Sequence, residues 1–157
     1  MAGEEKKKKN DNKQKLREYK AGPGRLPLLL DRVASMDAGE KITFIRDGVS
    51  KNDLEAIKER SELDYDALSA ILAVSRATLI NKKGVEKFDT ATSERILLLA
   101  DTLAYGQSVF DDKDRFNTWM KTSNKALGDK APLELMDTLY GIQEVKKLIG
   151  RIEYGVF

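Results

Sequence analysis

Three short oxygen-bearing side chains, Ser50, Asp64 and Ser75, each stand just ahead of a stretch in which apolar residues recur at helical spacing. No other feature narrows the fold as much, because Ser and Asp at such positions supply the acceptor that the first unpaired amides of a helix require. Ser50 and Asp53 have the S-x-x-D form of a capping box, with Leu54, Ile57 and Leu63 following. The pattern predicts a helix over about 51–60. Asp64 caps a second helix carrying Leu68, Ile71 and Leu72. After a break near Ala73 and Val74, Ser75 caps a third, whose Leu79 points inward. The last two are separated by only three or four residues, which suits a helix-turn-helix.

The rest of the chain is organised around this unit. Gly22, Pro23, Gly24 and Pro27 punctuate a linker, and Leu28, Leu29, Leu30, Val33 and Met36 follow as a helical patch. Gly39 to Gly48 carries Ile42, Phe44 and Ile45 in partial alternation, compatible with a short strand or an extended lead-in. Gly84 to Ser93 is a polar connector. Beyond it Ile96, Leu99, Leu103 and Phe110 mark a helix starting near Thr92 or Ser93 and opening a second domain. Phe116, Trp119 and Met120 give a short helix ended by Ser123, Asn124 and Gly128. Pro132 opens another through Leu133, Leu135 and Met136, and Ile142, Val145, Ile149 and Ile152 line the last. The expected fold is all-α: a disordered basic arm and linker over 1–24, a helix-turn-helix domain over 25–90 and a C-terminal helical domain over 91–157.

Composition limits the chemistry. The 157 residues contain no His and no Cys, removing the commonest general base, the commonest zinc ligands and the thiolate nucleophile. No G-x-S-x-G, GxGxxG or P-loop spacing compensates, so binding is expected rather than catalysis, with no metal and no cofactor. Mean hydropathy is −0.49, and the longest apolar stretches, such as Ile96 to Ala100, fall far short of the roughly 20 residues a membrane span needs. A charged N-terminus without an apolar segment behind it, and the lack of cysteine, point to the cytoplasm. Residues 1–20 hold 8 basic and 4 acidic side chains, a net +4, with Lys6 to Lys9 consecutive. Such an arm is either a solvated tail or an electrostatic contact for nucleic acid.

The helix pair is the part that can read DNA. With Leu79 buried, Ser75, Arg76, Thr78, Asn81, Lys82 and Lys83 fall on the outside or just beyond the second helix. Arg can grip guanine and Asn can pair with adenine, while Ser, Thr and Lys hold phosphates. Residues 21–90 carry 11 basic and 12 acidic side chains, a net −1, so one copy should bind weakly and dimers are expected. Trp119, between Phe116 and Met120, reads as a core anchor. Ser93, Glu94 and Arg95 read as helix capping with a local ion pair. Arg151, Glu153 and Tyr154 are either the polar rim of the last helix or an interface hot spot.

The two halves together resemble the Xre/MbcA/ParS antitoxins that accompany RES-domain toxins. The first half carries this in Ile45-Arg46-Asp47-Gly48, the spacing to Leu54, and the run Val74-Ser75-Arg76-Ala77-Thr78-Leu79. The second half carries it in Ser93-Glu94-Arg95, Val109-Phe110, Trp119, Asn124 to Gly128, Pro132, Asp137-Thr138 with Gly141, and Gly150 to Gly155. The resemblance implies an antitoxin of a type II system, without chemistry of its own. It would bind and occlude the NAD site of a RES-domain toxin that consumes NAD or transfers ADP-ribose, and repress its operon at operator DNA. A homodimer and a higher hetero-oligomer with the toxin are implied. The toxin contacts would be Lys147, Arg151, Glu153, Tyr154, Gly155, Val156 and Phe157. In the turn, Ala73 stands where glycine is common, and a helix-compatible turn would accommodate it. The alternative is a stand-alone helix-turn-helix regulator with a C-terminal dimerisation or ligand-sensing domain.

Overall fold

The computed structural model describes residues 28–155. The basic stretch 1–24, residues 25–27, and Val156 and Phe157 lie outside them. Among the described residues the fold is all-α: α1 (Leu28–Val33), α2 (Ala38–Asp47), α3 (Lys51–Ser61), α4 (Tyr65–Leu72), α5 (Arg76–Asn81), α6 (Thr90–Phe110), α7 (Lys113–Met120), a 3₁₀ turn (Lys125–Leu127), α8 (Pro132–Leu135) and α9 (Leu139–Glu153). Two isolated antiparallel bridges, Ser50 with Lys87 and Asn124 with Lys130, are the extended pairings among them.

The caps explain where the helices begin. Asp64 accepts the Ala67 amide at 2.8 Å and Ser75 the Thr78 amide at 3.1 Å, as the sequence predicts. At Ser50 the expected box is half-formed: its hydroxyl accepts the Asp53 amide at 3.2 Å, but the Asp53 carboxylate takes that same hydroxyl at 3.0 Å. The reciprocal box lies upstream, where Asp37 accepts the Glu40 amide at 2.8 Å and Glu40 accepts the Asp37 amide at 2.9 Å. That box makes Gly39 to Asp47 helical, neither strand nor extended lead-in, with Gly48 as the C-cap. Ile42, Phe44 and Ile45 follow helical geometry, with Phe44 and Ile45 against the core and Ile42 exposed. Similarly, α6 begins at Thr90 rather than Thr92 or Ser93, because Asp89 accepts the Thr92 amide at 2.8 Å.

α6 forms the spine. Its Ile96, Leu97, Leu99, Ala100 and Leu103 are buried against Leu29, Leu30 and Val33 of α1, Leu68, Ile71 and Leu72 of α4, and Ile142, Val145 and Ile149 of α9, in a single apolar cluster. Burial of each such Leu or Ile contributes roughly 1.5–3 kcal/mol, so the long helix stabilises what lies on either side of it. Asp101 makes the same connection electrostatically: Lys41 of α2 sits 3.2 Å from one carboxylate oxygen and Lys146 of α9 3.0 Å from the other. Asn117 of α7 donates a partly buried hydrogen bond to the Arg60 carbonyl at the end of α3, 3.2 Å long.

Candidate functional site

Two surfaces stand out, one on α4–α5 and one on α9. In the first, Leu68, Leu72 and Leu79 are fully buried, and Val74 packs partly against them, fixing the helix pair. The turn between the helices is not helix-compatible: Ala73 adopts φ +55° and ψ +42°, left-handed backbone that costs a residue with a Cβ roughly 1–2 kcal/mol. The Ser69 hydroxyl donates to the Val74 carbonyl and steadies that conformation.

Ser75, Arg76, Thr78, Asn81 and Lys83 are exposed together, as the sequence reading expects. Their availability differs. Ser75 caps α5 and shares a hydrogen bond of 2.9 Å with the Thr78 hydroxyl. Arg76 is held 3.0 Å from Asp66 of α4, an exposed pair that a phosphate or base edge can compete for. Lys82 is half-buried, its ammonium 5.8 Å from the centre of the Phe88 ring.

The sequence reading missed Lys51. This lysine is 5% exposed; its ammonium donates to the Leu79 carbonyl in the last turn of α5 and lies 3.2 Å from Glu55 and 4.9 Å from the Tyr65 ring centre. It ties α3 to the exposed helix. Burial raises the Glu55 carboxyl, but hydrogen bonds from Tyr65 and Lys51 outweigh this and hold it below its ordinary value. A signal was present: a lysine in the first turn of a helix opposes the macrodipole and needs another reason to be there.

Ser93 and Arg95 also act differently from expectation. Ser93 is fully buried, accepts the Val49 amide at 2.9 Å and donates to the Phe88 carbonyl at 3.2 Å, while Asp89 does the capping. Arg95 donates to the Ile71 carbonyl at 3.2 Å, and among the described residues neither Glu94 nor Arg95 forms an ion pair. Arg95 thus ties α4 to α6, while Ser93 ties α6 to the segments that precede α3 and α6 themselves. Trp119 is half-buried, its ring centre 5.3 Å from that of Phe110 and 6.0 Å from that of Phe116.

On α9, Gly141, Ile142, Val145, Leu148 and Ile149 face inward. Gly141 is required there, because a Cβ would overlap the Leu135 carbonyl. Lys147 is exposed and lies 2.9 Å from Glu144; Arg151 and Tyr154 are exposed, Tyr154 at 78%. Glu153 accepts a hydrogen bond from the Tyr105 hydroxyl, which, with burial adding a smaller share, pushes the Tyr105 phenol up to about 12. Gly155 closes the helix at φ +66°, its amide bonded to the Ile152 carbonyl at 3.2 Å. Leu139 and Tyr140, 44% and 71% exposed at the start of α9, were missed by the sequence reading. Among the described residues no cluster of acidic side chains has metal-binding arrangement, and no helix is long and apolar enough to cross a membrane.

Residues 40–101 match a family model described as the antitoxin Xre-like helix-turn-helix domain, and residues 106–155 match the antitoxin Xre/MbcA/ParS C-terminal toxin-binding domain. The chain is 26% identical over 147 residues to a protein of Sphingobium sp. named Prs ADP-ribosylating antitoxin, covering 87% of this chain and 92% of the relative. It is 40% identical over 72 residues to a protein of Yersinia enterocolitica named antitoxin Xre, covering 45% of this chain and 49% of the relative. A protein of Photorhabdus laumondii with the same name is 36% identical over 74 residues, covering 46% and 50%. The chain thus spans about half the length of these last two.

Proposed function

Because this chain belongs to the Xre/MbcA/ParS antitoxins through both of its halves, we propose that it neutralises a RES-domain toxin by covering that toxin's NAD site and represses its own operon. The observation that carries the reading is the exposed end of α9, where Arg151 and Tyr154 stand out from the surface inside the stretch matched by the toxin-binding domain. Arg and Tyr are the side chains that most often anchor interfaces. Lys147, Arg151, Glu153, Tyr154 and Gly155, with Val156 and Phe157 beyond the described residues, form the toxin contact. The Sphingobium relative's name contains ADP-ribosylation, a transfer that draws on NAD, and this supports a partner with an NAD cleft. This reading gives the chain no chemistry of its own, which the antitoxin names of its relatives and the lack of His and Cys support.

On DNA, α5 enters the major groove, Arg76 and Asn81 face base edges, and Ser75, Thr78, Lys82 and Lys83 meet phosphates. The slightly acidic 21–90 stretch makes a homodimer the binding unit, with the basic residues of 1–20 adding charge. The division into a DNA-binding part over 25–90 and a toxin-binding part over 91–157 follows from these roles. Co-expression tests the reading: the neighbouring gene should arrest growth alone, and this chain should restore it. A neighbour that is harmless alone, or that still arrests growth beside this chain, would remove the antitoxin reading.

A further inference from the structure

The exposed side of α9 is longer than its C-terminal end. Tyr140, Glu144, Lys147, Arg151 and Tyr154 recur at intervals of four, three, four and three residues, which places them within an arc of about 80° along a rise of roughly 21 Å. Opposite them Ile142, Val145 and Ile149 are buried, so the stripe is held outward by the core itself. Its two ends are the aromatic side chains Tyr140 and Tyr154, 71% and 78% exposed, and Leu139 widens the first end.

Charge along the stripe is uneven. Lys147 is paired with Glu144, and Lys146 beside it with Asp101, whereas no ion pair of Arg151 occurs among the described residues. Arg151, one turn before Tyr154, therefore presents a guanidinium with no ion-pair partner among the described residues, on the same face as the two tyrosine rings. A large exposed aromatic at each end of a rigid helix is costly to leave in water and well suited to filling sockets on a partner.

We infer that the toxin is gripped at two points: one apolar socket takes Tyr140 with Leu139, a second takes Tyr154, and an acidic patch between them receives Arg151. This rests on the toxin-binding reading above and deepens it, since the start of α9 is assigned to the contact and the partner surface is given a chemistry. The arrangement makes binding dependent on the length and straightness of α9. It also makes the acidic patch sensitive to salt while the two sockets are not.

The test measures affinity of the full chain for the purified product of the neighbouring toxin gene, with Tyr140→Ala, Tyr154→Ala and Arg151→Glu. Helix content and self-association are checked for each variant. Tyr140→Ala should weaken binding by roughly 30-fold or more, comparable with Tyr154→Ala, as truncation of an anchor does. Arg151→Glu should weaken it most at low salt, with the difference shrinking as salt is added. Wild-type affinity in Tyr140→Ala beside a large loss in Tyr154→Ala overturns the two-point grip while leaving toxin binding intact. A Tyr140→Ala change that only dissociates a self-associated form overturns it as well. Failure of the unaltered chain to bind overturns both this inference and the reading beneath it.

Discussion

Gly106 of α6 faces the ring of Phe116 so closely that a methyl group on its Cα would overlap the Cε2 and Cζ atoms. The contact brings α7 against α6 and sets the tilted and stacked rings of Phe110, Phe116 and Trp119. Gly106→Ala gains about 1 kcal/mol of helix propensity but overpacks a fully buried ring, at roughly 1–3 kcal/mol. The expected outcome is a net destabilisation of up to about 2 kcal/mol. Denaturant unfolding followed by Trp119, the chain's one tryptophan, measures both the midpoint and the altered environment of the ring.

Ala73 gives a prediction of opposite sign. Its left-handed backbone is one that glycine adopts freely, so Ala73→Gly relieves strain in the folded state while loosening the unfolded one. A net stabilisation of about 0.5–1 kcal/mol is expected, seen as a higher denaturation midpoint with an unchanged slope. A lower midpoint would mean that the turn relaxes away from φ +55° in solution.

Much of the architecture was legible because helix caps and apolar spacing are local signals. Asp64, Ser75 and Pro132 each announce a helix that the structure contains. The stretch from Gly39 to Gly48 was not legible, since its partial alternation is ambiguous unless the pairing of Asp37 with Glu40 is noticed. Ser93 and Arg95 were misread for another reason: their partners, Val49, Phe88 and Ile71, are brought close only by the fold. The α4–α5 and C-terminal candidate residues could be listed from the sequence, but not the engagements of Arg76 with Asp66 or Glu153 with Tyr105. Tyr140 was not legible because an aromatic in the first turn of an amphipathic helix reads as core material until the fold shows it 71% exposed.

The pair of Arg76 and Asp66 makes DNA binding separable into two effects. Arg76→Ala should cost roughly 1–3 kcal/mol of operator affinity if the guanidinium reads a guanine. Asp66→Asn removes a carboxylate beside the guanidinium and should raise affinity for operator and random duplex alike, leaving the ratio between them unchanged. Anisotropy titrations at one fixed salt concentration compare the three chains. Unchanged operator binding in Arg76→Ala would assign α5 to packing.

Tyr105 and Glu153 supply the pH dependence. The phenol must be neutral to donate, and its folded value is raised from 10.0 to about 12. The stabilisation it lends to the end of α9 is therefore complete below about pH 10 and is lost as pH climbs through about 12. Ultraviolet titration should show one tyrosine ionising late, an event absent in Tyr105→Phe and moved to ordinary pH in Glu153→Gln. Late ionisation persisting in Glu153→Gln would place its cause elsewhere.

Obstruction itself is tested most directly by following NAD turnover by the purified neighbouring toxin as this chain is added. Turnover should fall to nothing once the chain saturates the toxin, and Arg151→Glu should require far more protein to reach the same end. A saturated complex that still consumes NAD at the free toxin's rate would contradict the claim that this chain works by closing its partner's nucleotide site.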